Sequence, residues 1–305
     1  MRSDPGLYHY WPYEDRPKIS WPGGARVAFW VAPNIEFYEL DPAVNPHRKA
    51  WPKPVPDVHG YATRDYGNRV GHMRLMNLLD KYGVRGSISL STALCDHHPE
   101  IIAMCRDRDW EFFSHGIYNT RYVYGMSEAQ EREVIEAAMA TILEHTGKPC
   151  AGYLAPALTH TEHTLDLFAE AGGIYTCDLF HDDQPTPVRV RSGEKFISVP
   201  YSLEMNDTIV YVANKIEPRR YGEMLKANFD RLYAEGADNP VVMCIPLHAY
   251  QVSHPHRLRA FEEALEYITG HSDVWVTTGR EIAEHWIANH YDAAVADIEA
   301  RGATS

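Results

Sequence analysis

Short apolar runs alternate with longer amphipathic segments along nearly the whole chain, and this alternation limits the fold more than any other feature. Residues 84–90 and 241–244 are apolar and contain β-branched side chains, as buried strands do. Between residues 70 and 82, apolar side chains instead recur at helical spacing. Strands that alternate with helices form a parallel sheet with helical crossovers. For a chain of 305 residues, we predict an α/β barrel of seven or eight strands rather than an open sheet.

The predicted elements divide the chain into an arm, one barrel domain and a tail. We place the N-terminal arm at 1–25, the (β/α)-barrel domain at 26–290 and the C-terminal tail at 291–305. The arm is aromatic and proline-rich, so we expect it to pack on the barrel surface or on a partner subunit of a homo-oligomer. Five prolines between residues 41 and 57 indicate a functional lid or binding loop. The predicted strands are 26–32, 84–90, 111–114, 151–154, 174–177, 196–199, 209–212, a strand that begins at 241, and 274–276.

Charge and composition limit the classes of binding partner that we expect for this chain. The chain carries 42 acidic and 29 basic residues, a formal charge of −13. We therefore expect neither nucleic acid nor a membrane surface as a partner, because both recruit clustered Lys and Arg. No apolar run approaches the roughly 20 residues that cross a bilayer, and the first residues lack the apolar core of a signal peptide. The five cysteines form no CxxC pair, so we expect reduced core cysteines in a cytoplasmic protein.

Polar side chains follow several of the predicted strands, where a parallel barrel gathers its chemistry at one mouth. Each has a structural alternative when taken alone. Glu36 suits a solvated loop, His115 can satisfy a backbone carbonyl, and Asn206-Asp207 suits a β-turn. Their joint placement after strands favours a shared site. The candidates are Glu36, His115, Asn119, Asp183, Gln184, Asn206, Asp207 and His248.

Amide hydrolysis fits this set of residue types. The reaction needs a deprotonated water, a stabilised oxyanion and a proton for the leaving nitrogen. Glu36 can act as the base or as a metal ligand, His248 as the acid, and His115 as a ligand through neutral imidazole. No G-x-S-x-G, P-loop or G-x-G-x-x-G motif is present, so neither a serine acyl-enzyme nor a phosphate or dinucleotide site is indicated.

Several stretches together resemble the polysaccharide deacetylase superfamily, the NodB-homology or carbohydrate esterase family 4-like group. Within it, the chain most resembles the allantoinase-like and cyclic-imide-hydrolase-like branch. The resemblance implies a distorted (β/α) barrel of NodB type, with a site at its carboxyl mouth that hydrolyses an amide, imide or N-acetyl C–N bond. The matching stretches are Asn34-Ile35-Glu36, Asp65-Tyr66-Gly67-Asn68-Arg69-Val70-Gly71, His115-Gly116, Asp182-Asp183-Gln184-Pro185, Pro200-Tyr201-Ser202-Leu203-Glu204-Met205-Asn206-Asp207 and Leu247-His248.

The chain departs from the metal-dependent members of that superfamily. They carry an aspartate after the first strand and His-x-x-x-His after the third, whereas this chain has Glu36, His115 and Asn119 at the matching positions. Asn supplies an oxygen ligand but is a poorer zinc ligand than imidazole. The resemblance implies a divalent metal, zinc first, with these three residues as its candidate ligands, and the exchange of imidazole for Asn119 weakens such a site. The family arginine that orients the catalytic carboxylate is replaced within Leu154-Ala155-Pro156-Ala157.

The sequence thus predicts a hydrolase of small cyclic or linear amides, such as a ureide, hydantoin or imide. Glu36 activates water, alone or with the metal, and His248 protonates the leaving nitrogen. Two alternatives stay open: an N-deacetylase of an N-acetyl sugar, and a ligand-binding barrel without catalytic activity. The residues expected to orient the substrate are Arg69, Asp183, Gln184, Asn206 and Asp207.

Overall fold

The computed structural model describes residues 6–42 and 53–302. Among these residues, nine strands join in a single curled sheet. The strands are β1 (Val27–Ile35), β2 (Ser87–Leu90), β3 (Glu111–Ser114), β4 (Gly152–Tyr153), β5 (Tyr175–Thr176), β6 (Thr186–Val188), β7 (Phe196–Ser198), β8 (Val241–His248) and β9 (Val274–Val276).

Helices connect most of the strands, as the alternation predicts. Wider π-helical turns at Gly67–Gly71 join the first two helices, and a similar segment spans Ile209–Ala213. Short 3-10 turns lie at Pro22–Gly24 and Pro156–Leu158. The α-helices are α1 (Val58–Tyr66), α2 (His72–Lys81), α3 (Leu94–His97), α4 (Pro99–Arg106), α5 (Glu128–Thr146), α6 (Thr164–Glu170), α7 (Pro218–Glu235), α8 (Ala249–Val252), α9 (Pro255–Thr269), α10 (Gly279–Asn289) and α11 (Tyr291–Gly302).

The sheet is parallel except at one end. Its order is β6-β7-β5-β4-β3-β2-β1-β8, and β9 also pairs with the start of β1. Among the nine strands described, only the β6–β7 pair is antiparallel. In this order β8 pairs with β1 and forms one end of the path, so the curled sheet stays open between β8 and the β6–β7 end. The predicted α/β fold, a distorted (β/α) barrel, is confirmed.

Strand β1 shows how the sequence builds two cores. Its side chains alternate between the two faces of the sheet, as a strand of period two requires. Val27, Phe29 and Val31 pack with the helices on the outer face. Ala28 and Trp30 face a second cluster that includes the N-terminal arm and the last two helices.

Three predictions about local structure need comment. The predicted strand at 209–212 is wrong: Asn206 accepts the Val210 N–H and its side chain accepts the Thr208 N–H, so a helical segment begins there. Residues 291–302, which we assigned to a tail, form α11 and bury Ala294 and Ile298. The predicted lid at 41–57 falls partly on residues 43–52, which lie outside the described residues.

The five cysteines are buried and form no disulfide, as expected for core thiols. No helix in the described ranges combines the length and apolar character required to traverse a bilayer.

Candidate active site

A cavity of about 200 Å³ opens at the carboxyl ends of β1, β3 and β8. Asn34 of β1 lies in register with His248 of β8, so the residues that follow both strands meet there. Parallel barrels place their active sites at this end of the strands. The lining residues are Asn34, Glu36, Tyr38, Arg64, His115, Asn119, Leu154, Ala155, Ala157, Leu158, Tyr201, Leu203, Asn206, Thr208, Ile209, His248 and Tyr250.

Glu36 lies at the centre of the cavity's charged groups and is only 6% exposed. Its Oε2 accepts a hydrogen bond from Tyr250 at 2.7 Å and lies 3.7 Å from Arg64 Nε. Its Oε1 lies 3.4 Å from His248 Nε2 and 3.8 Å from His115 Nε2. Burial by itself would raise the pKa of this carboxyl, but the nearby positive charges of His248 and Arg64 hold the pKa well below its ordinary range. Glu36 is therefore ionised at neutral pH.

His248 is fixed by a fully buried carboxylate. Asp207 Oδ1 lies 2.7 Å from His248 Nδ1, and Asp207 Oδ2 accepts the backbone N–H groups of His248 and Val252. Burial by itself would lower the pKa of His248, but Asp207 and Glu36 raise it to about 9. The ring thus carries two protons at neutral pH, and its Nε2–H faces Glu36.

His115 has its orientation set by the backbone. Its Nδ1 lies 2.7 Å from the carbonyl oxygen of Leu154. A carbonyl oxygen only accepts, so Nδ1 carries a proton and the lone pair of the neutral ring lies on Nε2. That nitrogen lies 3.8 Å from Glu36 Oε1. When the ring is neutral, Nε2 and the carboxylate are two acceptors across a gap that a single donor can bridge.

Amide side chains line the rest of the cavity. Asn34 is buried, and its amide donates to the Tyr201 hydroxyl at 2.9 Å. Asn119 Nδ2 lies 3.4 Å from the Tyr38 hydroxyl, and Asn206 Oδ1 accepts the Thr208 N–H. These contacts leave the oxygen of Asn119 and the NH₂ group of Asn206 as an acceptor and a donor for a ligand.

The structure brings together most of the predicted site residues. Glu36, His115, Asn119, Asn206 and His248 line the cavity, and Asp207 supports His248 from behind.

Three predicted substrate-orienting residues lie elsewhere. Arg69 is 71% exposed on the helix surface and pairs with Asp65 at 2.6 Å. Asp183 borders a second cavity of about 430 Å³ beside β8. Gln184 is buried and donates to the Pro240 carbonyl, which ties its loop to the start of β8.

Sequence reasoning missed two residues that lie beside Glu36. They are Arg64 and Tyr250. Arg64 directly precedes the Asp65-Tyr66-Gly67 run, in which we had favoured Arg69. Tyr250 lies only two residues after His248. Position next to a recognised motif was the available signal in both cases, but only the packing of α1 against α8 brings both side chains to one carboxylate.

The donor set does not fit a resident zinc ion. Glu36, His115 and Asn119 offer one carboxylate, one imidazole and one amide, whereas catalytic zinc sites draw their three protein ligands from His, Asp, Glu and Cys. His248 Nε2 and the Arg64 guanidinium already lie 3.4 and 3.7 Å from the carboxylate, so both groups compete with an ion for the same oxygens. Across residues 6–42 and 53–302, no three His, Cys, Asp or Glu side chains are arranged to hold a metal ion.

Comparisons with known proteins agree with this architecture. The polysaccharide deacetylase family model matches residues 53–175. A Schizosaccharomyces pombe protein named "Putative polysaccharide deacetylase" is 25% identical over 304 residues, covering 92% of this chain and 93% of the relative. The peptidoglycan deacetylase of Helicobacter pylori is 25% identical over 254 residues, and this match covers 73% of this chain and 85% of the Helicobacter pylori protein.

A solved structure extends the likeness to the whole fold. The crystal structure of PuuE allantoinase superposes with a TM-score of 0.81 at 29% sequence identity, covering 91% of this chain and 95% of that chain. The family model, the curated relatives and this fold agree with one another. The chain therefore resembles the polysaccharide deacetylase family in sequence and in fold, and it is a hydrolase of carbon–nitrogen bonds other than peptide bonds.

Proposed function

We propose that this enzyme opens or cleaves small cyclic amides of the ureide, hydantoin or imide class, using an acid–base mechanism that runs without a resident metal. The observation that carries the proposal is the position of Glu36 Oε1, which faces two imidazole nitrogens inside a cavity of about 200 Å³. That volume suits a compact ring, because sites for drug-sized ligands span about 300–1,000 Å³.

The amide side chains of the cavity favour the same substrate class. Asn119 and Asn206 offer an acceptor and a donor, which complement the alternating N–H and C=O groups of a ureide or imide ring. The likeness to PuuE allantoinase supports a ureide.

The water that attacks the amide belongs between Glu36 and His115. Glu36 Oε1 and His115 Nε2 are both acceptors and lie 3.8 Å apart, a gap that one water spans by donating both of its protons. A carboxylate of such low pKa orients the water better than it removes a proton. His115 is the natural proton acceptor, because imidazole is the usual base near neutral pH.

Protonation of the leaving nitrogen falls to His248. Asp207 holds the Nδ1 side of its ring, so the proton on Nε2 faces the cavity. Asp207 also stabilises the charged form of the His248 ring, so this general acid is protonated at neutral pH.

The oxyanion of the tetrahedral intermediate needs a donor that is already in place. Ala157 lines the cavity and adopts a left-handed backbone conformation with φ of 51°. Within the described part of the chain its N–H donates no backbone hydrogen bond. Strained backbone of this kind clusters at active sites, and we assign this N–H to the oxyanion.

The test is turnover of a substrate panel by purified enzyme, with and without a chelator. The panel holds allantoin, hydantoin and succinimide, with N-acetylglucosamine oligomers as the alternative substrate. We expect ring opening that survives the chelator. His248→Ala should lower kcat by about 10²–10⁴-fold because the general acid is lost, while His256→Ala, an exposed histidine of α9, should leave kcat unchanged.

Acetate release from the sugar oligomers without any ring opening would instead identify a sugar N-deacetylase, the activity that the names of the curated relatives favour. Full loss of ring opening in the chelator, restored by zinc, would overturn the metal-free mechanism. Unchanged kcat in His248→Ala would remove that residue from the acid role.

A further inference from the structure

Two aromatic rings fix the Arg64 side chain in place. A side chain that only neutralised the charge of Glu36 would not need such packing. Its guanidinium carbon lies 3.7 Å from the centre of the Tyr38 ring and 4.8 Å from that of Tyr250. Both contacts are cation–π contacts, in which an aromatic ring covers the flat face of the cation. Only the edge of the guanidinium, where its N–H groups lie, is then left for hydrogen bonds.

One of those N–H groups has no acceptor. Arg64 Nε is buried, and within the described part of the chain it forms no hydrogen bond. Glu36 Oε2 lies 3.7 Å away, beyond hydrogen-bond distance, and accepts from Tyr250 instead. A buried donor without an acceptor is costly and rare in folded proteins, so we expect the bonding of the Arg64 side chain to change when a ligand binds beside it.

The position of this donor defines the atom that would fill it. The Arg64 side chain is 18% exposed and lines the same cavity as Glu36 and His248, so a substrate in that cavity supplies the acceptor within its reach. It must be an acceptor, because arginine only donates. A carboxylate there would be repelled by ionised Glu36, whereas a neutral carbonyl oxygen would not.

We propose that Arg64 binds the second carbonyl of the substrate, the one that is not cleaved, and so selects imides and ureides over simple N-acetyl groups. In an imide two carbonyls flank one nitrogen, while an N-acetyl group presents one. The inference rests on the proposed function and names the residue that recognises its substrate class. Arg64 is thus a specificity-determining residue.

Two ligands that differ only at that carbonyl test the inference. Succinimide has it, and 2-pyrrolidinone carries a CH₂ group in its place. Affinities are measured by ligand-observed NMR titration in the His248→Ala background, so that the ring stays closed. We expect succinimide to bind about 10–10²-fold more tightly, the range for a hydrogen bond to a charged group.

Arg64→Gln should remove most of that preference by weakening succinimide alone, and Arg64→Lys, which keeps a donor and the charge, should restore part of it. Arg219→Gln is the matched control, because Arg219 is exposed on α7 and pairs only with Glu223 among the described residues. Thermal unfolding verifies that each variant is folded.

Equal affinities for the two ligands in the His248→Ala protein would overturn the inference. Equal weakening of both ligands by Arg64→Gln would also overturn it, because Arg64 would then only position Glu36. Turnover separates this result from the proposed function. Ring opening without an Arg64-dependent preference overturns the inference alone, and a preference in an enzyme that cleaves only N-acetyl sugars overturns the proposed function alone.

Discussion

Glu36 and His248 form a buried pair of opposite charges whose protonation states depend on each other. The carboxylate raises the pKa of the imidazole, and the imidazole lowers that of the carboxylate. Asp207 adds a second negative charge on the far side of the ring. At neutral pH the Glu36 carboxylate is therefore ionised and can accept hydrogen bonds, while the neighbouring His248 ring is protonated and can donate a proton. Amide hydrolysis needs both functions.

The pH profile should report the acid directly. His248 acts while it is protonated, and its pKa is raised to about 9. We expect kcat/KM to be level from neutral pH upward and to fall tenfold per pH unit above about 9. Asp207→Asn removes a charge that raises this pKa, so it should move the alkaline limb to lower pH. A steady-state profile of both proteins checks this.

An alkaline limb that stays near pH 9 in Asp207→Asn would contradict the coupling. The Thr208→Val variant is the control, because it removes a neutral contact to His248 Nδ1 at 3.0 Å and no charge. Its limb should stay close to that of the parent.

At the scale of elements, the continuous helix from α1 to α2 positions one side of the site. Gly67 and Gly71 face α8, where an added Cβ would lie 2.9 Å from the Tyr250 nitrogen and 2.5 Å from the Ala249 oxygen. Arg64, three residues before Gly67, shares this buried face, whereas Arg69 lies on the exposed one. The close approach of two helices thus delivers Arg64 and Tyr250 to Glu36.

Gly71→Ala should both destabilise the protein and impair catalysis. Alanine normally favours a helix over glycine, but here its methyl group would overlap the Ala249 carbonyl. Overpacking of this kind costs about 1–3 kcal/mol, and displacement of α8 should shift Tyr250 and His248. We expect a lower Tm and a lower kcat, measured by thermal unfolding and steady-state kinetics.

Gly302→Ala provides the comparison, because an added Cβ there comes within 4 Å of no atom of the described residues. Its Tm should match that of the parent. A Gly71→Ala protein with unchanged Tm and kcat would mean that the contact between α2 and α8 adjusts freely.

At the scale of the whole molecule, the N-terminal arm and one loop cover the open end of the sheet. The free edge of β8 donates the Val242 N–H to the Asp183 carbonyl. Arg16 of the arm bonds both carboxylate oxygens of Asp182 in that loop, and Trp21 donates to the Val241 carbonyl. These contacts place the arm on the barrel of its own chain, while assembly into a homo-oligomer stays a prediction.

Loss of the Arg16–Asp182 pair should destabilise the barrel as a whole. The Arg16 side chain is 3% exposed, and removal of one partner of a buried ion pair costs about 3–5 kcal/mol. We expect Arg16→Ala to lower the free energy of unfolding by that order in a urea titration. Lys18→Ala breaks an exposed pair with Asp238 and should leave stability unchanged.

The double variant Arg16→Ala/Asp182→Ala isolates the interaction. It should lose less than the sum of the two single changes, because neither charge is then left buried alone. Additive losses would show that the two residues stabilise the fold through separate contacts.

The sequence by itself determined most of the order of strands and helices, the barrel class, and the residues that follow strand ends. Glu36, His115 and His248 could be found because apolar periodicity locates a strand and parallel strands share one mouth. The helical segment at 209–213 could not be recognised, because its β-branched residues favour a strand and only the hydrogen bonds to Asn206 decide otherwise.

Only the tertiary structure decided which charges meet. Arg64 and Arg69 lie in the same stretch of sequence but on different faces of the helix. Arg64 is buried beside Glu36, whereas Arg69 is exposed. Asp183 and Gln184 follow a strand as the others do, yet their loop turns toward β8 and ties down its edge. Periodicity specifies which side of an element is buried, whereas contacts between distant elements depend on how the helices and loops pack on the curled sheet.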